Sequence, residues 1–548
     1  MEPNIHELHA RRLPDCMNPD ALAAAVNRLR ERLPVADARR LLDRLLQETA
    51  GVEDWTGAGE SVLRMDPAAA AELLELGSRR LPDAAPLHYL LGNALRLSNQ
   101  PEAAEASLRR AIALDPAHAN ASISLAHLLR EQGRMRALAE VMLALWKHEP
   151  RSADSDRRTL SFLVECERYL EAESLLAPIL EAHPAHAGLL RMAGEIALVL
   201  GRFEVARDQL RASLALDPGQ APAWLRLAHT HRFSDDTDED LALLQSAVAR
   251  GDLGIDVEVS AGFALGKAFD DLGRFAEAAE VLGRANARWH AGHPWDVQAW
   301  RRFVDDRQRA SPLPTASYED ETTPVFIVGL PRSGTTLAAT RLARHPQVRG
   351  RGELNWIAAI ARRLGEQPSA AMLASAGRFY LAQLRQDDAP ARFHIDKNPL
   401  NFRHLDLIAA MLPQAKIIHC RRDLRDNTLS LWSQHFAHAD MAWSYAFDDI
   451  AAYVDGYRAL LQHWKGKLQL PVFELDYEAL VTQTDATLGR LEAFLGLEAT
   501  PASARVDATE AVATASVWQA RQSVHRRSVG RWQHYLDAVP ELGQADAG

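Results

Sequence analysis

An α-helical repeat solenoid followed by an α/β domain with a mostly parallel sheet is the fold class this sequence predicts, on three observations. Pro82, Pro116, Pro150, Pro184 and Pro218 recur at an interval of 34 residues. Past residue 315, short apolar runs begin to alternate with amphipathic helical stretches, the pattern of a parallel sheet with flanking helices. A chain of 548 residues also exceeds what one ordinary core organises, so two domains are expected. The boundaries follow as 1–315, a repeat array with clear repeats over about 51–290 plus a connector, and 316–548, the α/β domain.

The array's elements follow from fixed offsets. Upstream of Pro116, the stretch APLHYLLGNALRLSNQPEAAEASLRRAIALDP carries Leu91, Gly92, Leu95, Ala104, Leu108 and Ala111. The skeleton returns as Leu125, Ala126 and Leu129, then as Ala193, Gly194, Ala197, Ala206 and Leu210. After a length change around residues 233–258 it is restored by Gly266, Phe269, Ala278, Leu282 and Ala285. Small residues let two helices approach, leucines fill the groove between them, and proline ends the second helix. This resembles the tetratricopeptide repeat, a pair of antiparallel helices that buries its apolar face only by stacking on its neighbours. The resemblance implies a concave surface that binds a protein or peptide segment. A rigid spacer or an arm of a homodimer is the other reading, and Trp146 and Trp224 fit either groove anchors or core.

Composition narrows the function classes. A formal net charge of −11 argues against nucleic-acid binding through bulk attraction, while leaving room for a local basic pocket for a small anion. Cys16, Cys166 and Cys420 stand apart, with neither metal-ligand spacing nor a disulfide framework, as in a reducing compartment. The opening MEPNIHELHARRLPDCMNPD has no apolar signal core. No stretch reaches the ~20 apolar residues that span a bilayer. A cytoplasmic protein without a membrane or nucleic-acid partner is expected.

A polar, proline-bearing connector, WHAGHPWDVQAWRRFVDDRQRASPLPTASYEDETTP, leads into the second half. There the expected order is strand PVFIVGL, helix TLAATRLARH, strand RFHIDK, helix NFRHLDLIAAML, strand AKIIHCRRD, helix NTLSLWSQHF and strand PVFELDY. The segment GLPRSGTT, Lys397 and Arg422 each follow a strand, so they are expected at one edge of the sheet. GLPRSGTT has the form of a phosphate loop. Its backbone amides and the following helix face an anion, Gly334 allows close approach, Ser333, Thr335 and Thr336 add hydroxyls, and Arg332 adds a charged fork. Thr335 stands where a nucleoside-triphosphatase loop carries its lysine, so reach to a γ-phosphate is lost and a kinase is disfavoured. Asp396 and Asp423 are the only weak candidates for holding Mg²⁺.

PRSGTT, then HPQVRGRGE, then DKNPLNFRHLDLIAAMLPQAKIIHCRRDLRDNTLSLW, in that order, resemble the tyrosylprotein sulfotransferase branch of the sulfotransferases. The resemblance runs from about Pro324 to Trp532. It implies 3′-phosphoadenosine-5′-phosphosulfate (PAPS) as donor and no metal. It also implies that Arg332, Ser333, Gly334, Thr335 and Thr336 hold the 5′-phosphosulfate, and that Arg422 and Ser430 hold the 3′-phosphate. Tyr477 matches a tyrosine near the donor, and Arg531 matches a basic residue of a donor-binding segment.

For catalysis the resemblance implies Glu353 as general base and Lys397 as the cation at the leaving oxygen. A carboxylate near pKa ~4 is a weak base for a phenol near ~10. It can still take the proton late, once the acceptor oxygen is bonding to sulfur. His394 is the alternative base. Two departures stand out: Asn355 and Ala359 occupy positions where the animal enzymes carry arginines that read acidic residues around the target tyrosine. Arg362 and Arg363 lie one turn further on. The leading expectation is sulfuryl transfer to a hydroxyl, tyrosine first, of a protein or peptide recruited by the repeats. A carbohydrate, lipid or small-phenol acceptor is the second reading, and a repeat scaffold with an inactive nucleotide domain is the third.

Overall fold

The computed structural model describes residues 49–387, 391–436, 438–498 and 526–544, with scattered positions between 23 and 45. Cys16, the opening twenty residues and Ser523–His525 of the C-terminal basic stretch lie outside these. The chain divides into two compact units, residues 1–168 and 169–548. The change of architecture expected at 315/316 therefore falls inside the second unit, which holds repeat helices as well as the sheet.

The 34-residue period is written directly into the helices. First helices start at Ala85, Ala119, Ala153, Ala187 and Ala221, and second helices at Pro101, Met135, Tyr169 and Phe203. Second helices end at Arg80, Leu114, His148, Ala182 and Leu216, each two residues before one of the spaced prolines. Capping repeats in step: His118 Nδ1 accepts from Ala121 N, Ser152 Oγ from Ser155 N, and His186 Nδ1 from Leu189 N. The small-residue positions behave as the offsets require. A Cβ on Gly92, Gly194 or Gly266 would stand 2.5, 2.7 or 2.5 Å from the leucine sixteen residues on, Leu108, Leu210 or Leu282. The length change shows as a shortened helix, Ala221–Ala228, followed by Glu239–Ala249, before the long pair Ile255–Asp271 and Phe275–Gly292. Trp224 is core, its indole N–H donating to the Pro218 carbonyl. Trp146 is half-buried, its indole N–H on Asp156, with Arg151 stacked over the ring.

The sheet has five strands, β1 (Thr323–Gly329), β2 (Val348–Gly350), β3 (Phe393–Asp396), β4 (Lys416–Arg421) and β5 (Val472–Asp476), in the order β2-β3-β1-β4-β5. All the pairings are parallel. Strand alternation sends Val325, Ile327, Ile418 and Cys420 to one face, into a core with residues of helices Thr335–Leu342 and Thr484–Leu495. Phe326, Val328 and Ile417 go to the other, into a core with residues of Ala370–Arg385, Leu405–Met411 and Phe447–Trp464. The short edge strand β2 and the helices Trp356–Leu364, Ala370–Arg385, Phe447–Trp464 and Thr484–Leu495 were not among the expected elements. The stretch expected as one helix after β3 begins as a 3-10 turn, Pro399–His404, started by Asn398. From central β1 the chain builds toward β3 and then crosses to β4. The carboxyl ends of β1 and β4 therefore frame the crevice where such sheets bind ligands.

No helix of the described residues is long and apolar enough to cross a membrane.

Candidate active site

The loop after β1 is fixed by contacts that side chains could not share. A Cβ on Gly329 would lie 2.4 Å from the Cys420 carbonyl oxygen, so β1 and β4 come together there only because the residue is glycine. Gly334 has φ +95°, and a Cβ on it would lie 2.5 Å from the Tyr477 ring. Arg332, at φ +70°, holds a left-handed conformation that is uncommon for a side-chain-bearing residue. Asn427 donates from Nδ2 to the Pro331 carbonyl and pins the loop to helix Leu424–Trp432. The helix Thr335–Leu342 then starts with Thr335 buried and its amino end directed at the crevice.

The two anion grips the sequence separates share Arg332. Arg422 Nη1 donates to the Arg332 carbonyl at 3.0 Å, and Arg332 Nε donates to Ser430 Oγ at 3.1 Å. The Arg332 guanidinium thus stands at Ser430, the second grip, while its backbone belongs to the first. Arg422 Nη2 donates to the Ser528 carbonyl at 2.7 Å, and its guanidinium lies 4.8 Å over the Tyr477 ring. Burial, then the neighbouring charges of Arg422 and Arg531, bring the pKa of Arg332 down to about 10. Burial likewise lowers that of Arg422. Clustered, half-buried cations of this kind are costly unless an anion joins them. Three enclosed polar atoms here have no hydrogen-bond partner among the described residues: Ser333 Oγ, Arg422 Nε and Asn427 Oδ1. Ser333, Arg422 and Asn427 also line a cavity of about 790 Å³ whose other walls include β4 and helix Phe447–Trp464. The Ser333 hydroxyl and the Arg422 Nε–H, donors without acceptors among the described residues beside converging guanidinium groups, suit a multiply charged anion.

The third strand end brings Glu353 and Lys397 together. Past β2 the chain continues beside β3: Arg351 N donates to the Ile395 carbonyl, and Lys397 N to the Gly352 carbonyl. This ladder sets the two side chains face to face, with Lys397 Nζ 2.5 Å from Glu353 Oε1. Only 5% of the lysine side chain is exposed against 53% of the glutamate's, so the carboxylate is the member that an incoming molecule meets. Asp396 organises the turn behind them. Its carboxylate accepts from Tyr380 OH, Asn401 Nδ2, Asn398 N and Leu354 N, while burial pushes its pKa up to about 6. Asp423 is likewise engaged, accepting from Asp426 N as the cap of its helix. His394 lies inside β3 with 1% exposure, on the same strand end but sealed.

Arg531 is placed differently from the other site residues. Its guanidinium donates to Asp270 of helix Ile255–Asp271, with Nε at 3.0 Å and Nη2 at 2.8 Å. Sequence reading missed this partner, and it missed Asp426, which accepts from Gly530 N at 2.6 Å and from Trp532 N at 3.0 Å. It also missed His229, at the end of a repeat helix, whose ring contacts the Leu225 carbonyl through Nδ1. Burial, with the charges of Lys267 and Arg332, brings the His229 pKa down to about 3. Repeat residues therefore border the loop, which nothing in the repeat signature announces.

The site thus combines a parallel sheet, a phosphate-type loop without a lysine and a Glu–Lys pair at the adjoining strand end. Residues 324–501 match the model of the sulfotransferase family, and residues 85–118 match that of the tetratricopeptide repeat. The chain carries a sulfotransferase-family domain behind tetratricopeptide repeats. Among its relatives, an uncharacterized protein of Aquifex aeolicus is 28% identical over 407 residues, 68% of this chain and 52% of that protein. A protein-tyrosine sulfotransferase of Drosophila melanogaster is 27% identical over 189 residues, 32% of this chain and 35% of that one. Protein-tyrosine sulfotransferase 2 of Gallus gallus is 25% identical over 209 residues, 33% of this chain and 53% of that one. The chain thus spans about half, or less, of the length of the curated relatives it matches.

Proposed function

We propose that this protein transfers a sulfuryl group from PAPS to a hydroxyl of a protein or peptide recruited by its repeats, tyrosine being the first acceptor to test. The observation that carries the reading is the convergence of Arg332, Arg422 and Ser430 with the glycine loop at one sheet edge, beside the Glu353–Lys397 pair. The family match and the protein-tyrosine sulfotransferases among the relatives support the sulfuryl chemistry.

The residues present fit the donor. Ser333, Gly334, Thr335, Thr336 and the helix amino end would hold the 5′-phosphosulfate. Arg422, Ser430 and the Arg332 guanidinium at Ser430 would hold the 3′-phosphate, with Tyr477 as a floor under Arg422. When bound, PAPS supplies a sulfuryl group whose bond to the 5′-phosphate oxygen breaks, the electron pair leaving with the phosphate, as the acceptor oxygen bonds to sulfur. Glu353 receives the acceptor's proton. Its exposure suits it to meet a macromolecular substrate, and its contact with Lys397 fixes the direction of its carboxylate until one arrives. Lys397, held in place by its own backbone bond to Gly352, offsets the negative charge that grows on the leaving oxygen. Positioning and charge stabilisation carry the reaction, as in phosphoryl transfer. Repeats of this kind suggest interaction with other proteins, which fits recruitment of the acceptor. A preference for acidic flanks does not carry over, since Asn355 starts helix Trp356–Leu364 and Ala359 lies within it, while Arg362 and Arg363 are exposed.

The test is incubation with donor carrying radiolabelled sulfur and a panel of proteins, tyrosine peptides, carbohydrates, lipids and small phenols. Label on a tyrosine, removed by Glu353→Gln, supports the reading. Label appearing only on carbohydrate, lipid or small phenols overturns the acceptor, and no label on any of them overturns the activity.

A further inference from the structure

The stretch Arg526–Tyr535 crosses the donor crevice and is gripped from two sides. On one side helix Leu424–Trp432 supplies Asp426, whose carboxylate takes the amides of Gly530 and Trp532, while Arg425 lies 4.5 Å over the Trp532 ring. On the other side the final repeat supplies Asp270, which takes Arg531 and, at 2.6 Å, the hydroxyl of Tyr535. Phe275 of the same repeat stacks on His534 at 4.8 Å with an interplanar angle of 11°. The stretch reaches the crevice at Ser528, whose carbonyl accepts from Arg422 Nη2. Gly530, in the left-handed conformation at φ +74°, lets the chain turn between the Ser528 contact and the Asp270 contact.

We infer that Asp270 is a positioning residue for the donor site: by fixing Arg531 and Tyr535 it holds the Ser528 carbonyl where that carbonyl orients the Arg422 guanidinium. The inference rests on the reading of Arg422 as a donor ligand. A carboxylate shared by a guanidinium and a phenol, with one repeat ring stacked beside it, forms a two-point latch. Without the latch, the stretch loses its charged anchor on the repeat and keeps ties to the sheet domain that include backbone amides on Asp426, the Arg425–Trp532 contact, Arg526 on the Thr482 carbonyl and the Arg422 bond itself. Arg422 keeps its bond to the Arg332 carbonyl, but its second acceptor, the Ser528 carbonyl, is no longer fixed from the repeat side, and a fork that is less well preorganised binds phosphate less well. Arg531 on this account is a strut rather than a phosphate ligand, and the final repeat is a working part of the donor site.

The experiment uses the full chain and adenosine 3′,5′-bisphosphate as probe. Asp270→Asn keeps the side chain's outline and removes its charge. It is expected to weaken bisphosphate affinity by about tenfold and raise the donor KM in step, with kcat at saturating donor unchanged. Asp270→Glu should recover most of the affinity. Combining Asp270→Asn with Arg531→Gln should be no worse than the weaker single variant, since both break one unit. Tyr535→Phe, which removes a single bond, serves as a milder variant should Asp270→Asn fail to fold, and should weaken the probe by a smaller factor. Bisphosphate affinity within twofold of wild type in Asp270→Asn, or in Tyr535→Phe where that variant stands in, overturns the inference. So does a loss that lowers kcat and melting temperature together and is not recovered by glutamate. Wild-type protein that binds no bisphosphate is a different outcome, and it removes the donor reading itself.

Discussion

Replacing Arg422 by alanine separates the two things this residue does. The side chain donates to the carbonyls of Arg332 and Ser528, stacks on Tyr477, and retains one Nε–H with no partner among the described residues. Losing a guanidinium's charge-assisted bonds to a phosphate costs about 2–3 kcal/mol, or roughly 30- to 150-fold in Kd. Disturbance of the loop and of Ser528 adds a further loss, but that part falls on any nucleotide using the 5′ loop. Calorimetry with two ligands resolves the difference: adenosine 3′,5′-bisphosphate should weaken by roughly 30- to 150-fold, and adenosine 5′-monophosphate, which has no 3′-phosphate, by only a few-fold. Arg422→Lys should fall between, keeping the charge without the fork. Equal losses for both ligands would refute the assignment of Arg422 to the 3′-phosphate and reduce it to a loop support.

Three further outcomes follow from the same geometry. Glu353→Gln should cut kcat by about 10²- to 10⁴-fold, with bisphosphate affinity unchanged by calorimetry; an undiminished turnover would take Glu353 out of the proton transfer. Gly334→Ala places a methyl 2.5 Å from the Tyr477 ring at φ +95°, so melting temperature and bisphosphate affinity should fall together, by about 1–3 kcal/mol in stability; an unchanged melting temperature would contradict the contact. Acid should destabilise the fold through His229, His404 and His435, whose pKa values burial lowers to about 3, 3 and 4. Their folded values lie below the unfolded 6.5, so the stability they contribute is present above pH 6.5 and lost as pH falls toward 4. Each costs about 2 kcal/mol by pH 5. Urea midpoints should drop between pH 7 and pH 5, less so in His435→Gln, and a flat profile would refute the burial argument.

The repeats were legible because one physical device, a small residue facing a leucine sixteen positions later, recurs often enough to be counted. The strands β1, β3 and β4 were legible because each is a short apolar run followed by residues with chemistry: the loop from Gly329, Lys397 and Arg422. Edge strand β2 was missed because three residues, Val348–Gly350, carry no periodicity; only pairing with β3 makes them a strand. Helix Phe447–Trp464 was not legible because it carries no site motif and supplies core residues such as Tyr453 and Leu460. At the site, the resemblance pointed to Glu353 and Lys397, and the fold sets them in contact. The sharing of Arg332 between two grips was not readable, because backbone and side chain of one residue serve different places. The pairing of Arg531 with Asp270, 261 residues apart, leaves no trace in local sequence at all.

The central claim is that this loop, lacking a lysine at Thr335, takes a nucleotide phosphorylated at both the 3′ and 5′ positions rather than a triphosphate. Competition calorimetry between adenosine 3′,5′-bisphosphate and ATP on the wild-type chain tests it most directly. Bisphosphate should bind at least about a hundredfold more tightly, with the preference abolished by Arg422→Ala. ATP held as tightly as the bisphosphate would contradict it.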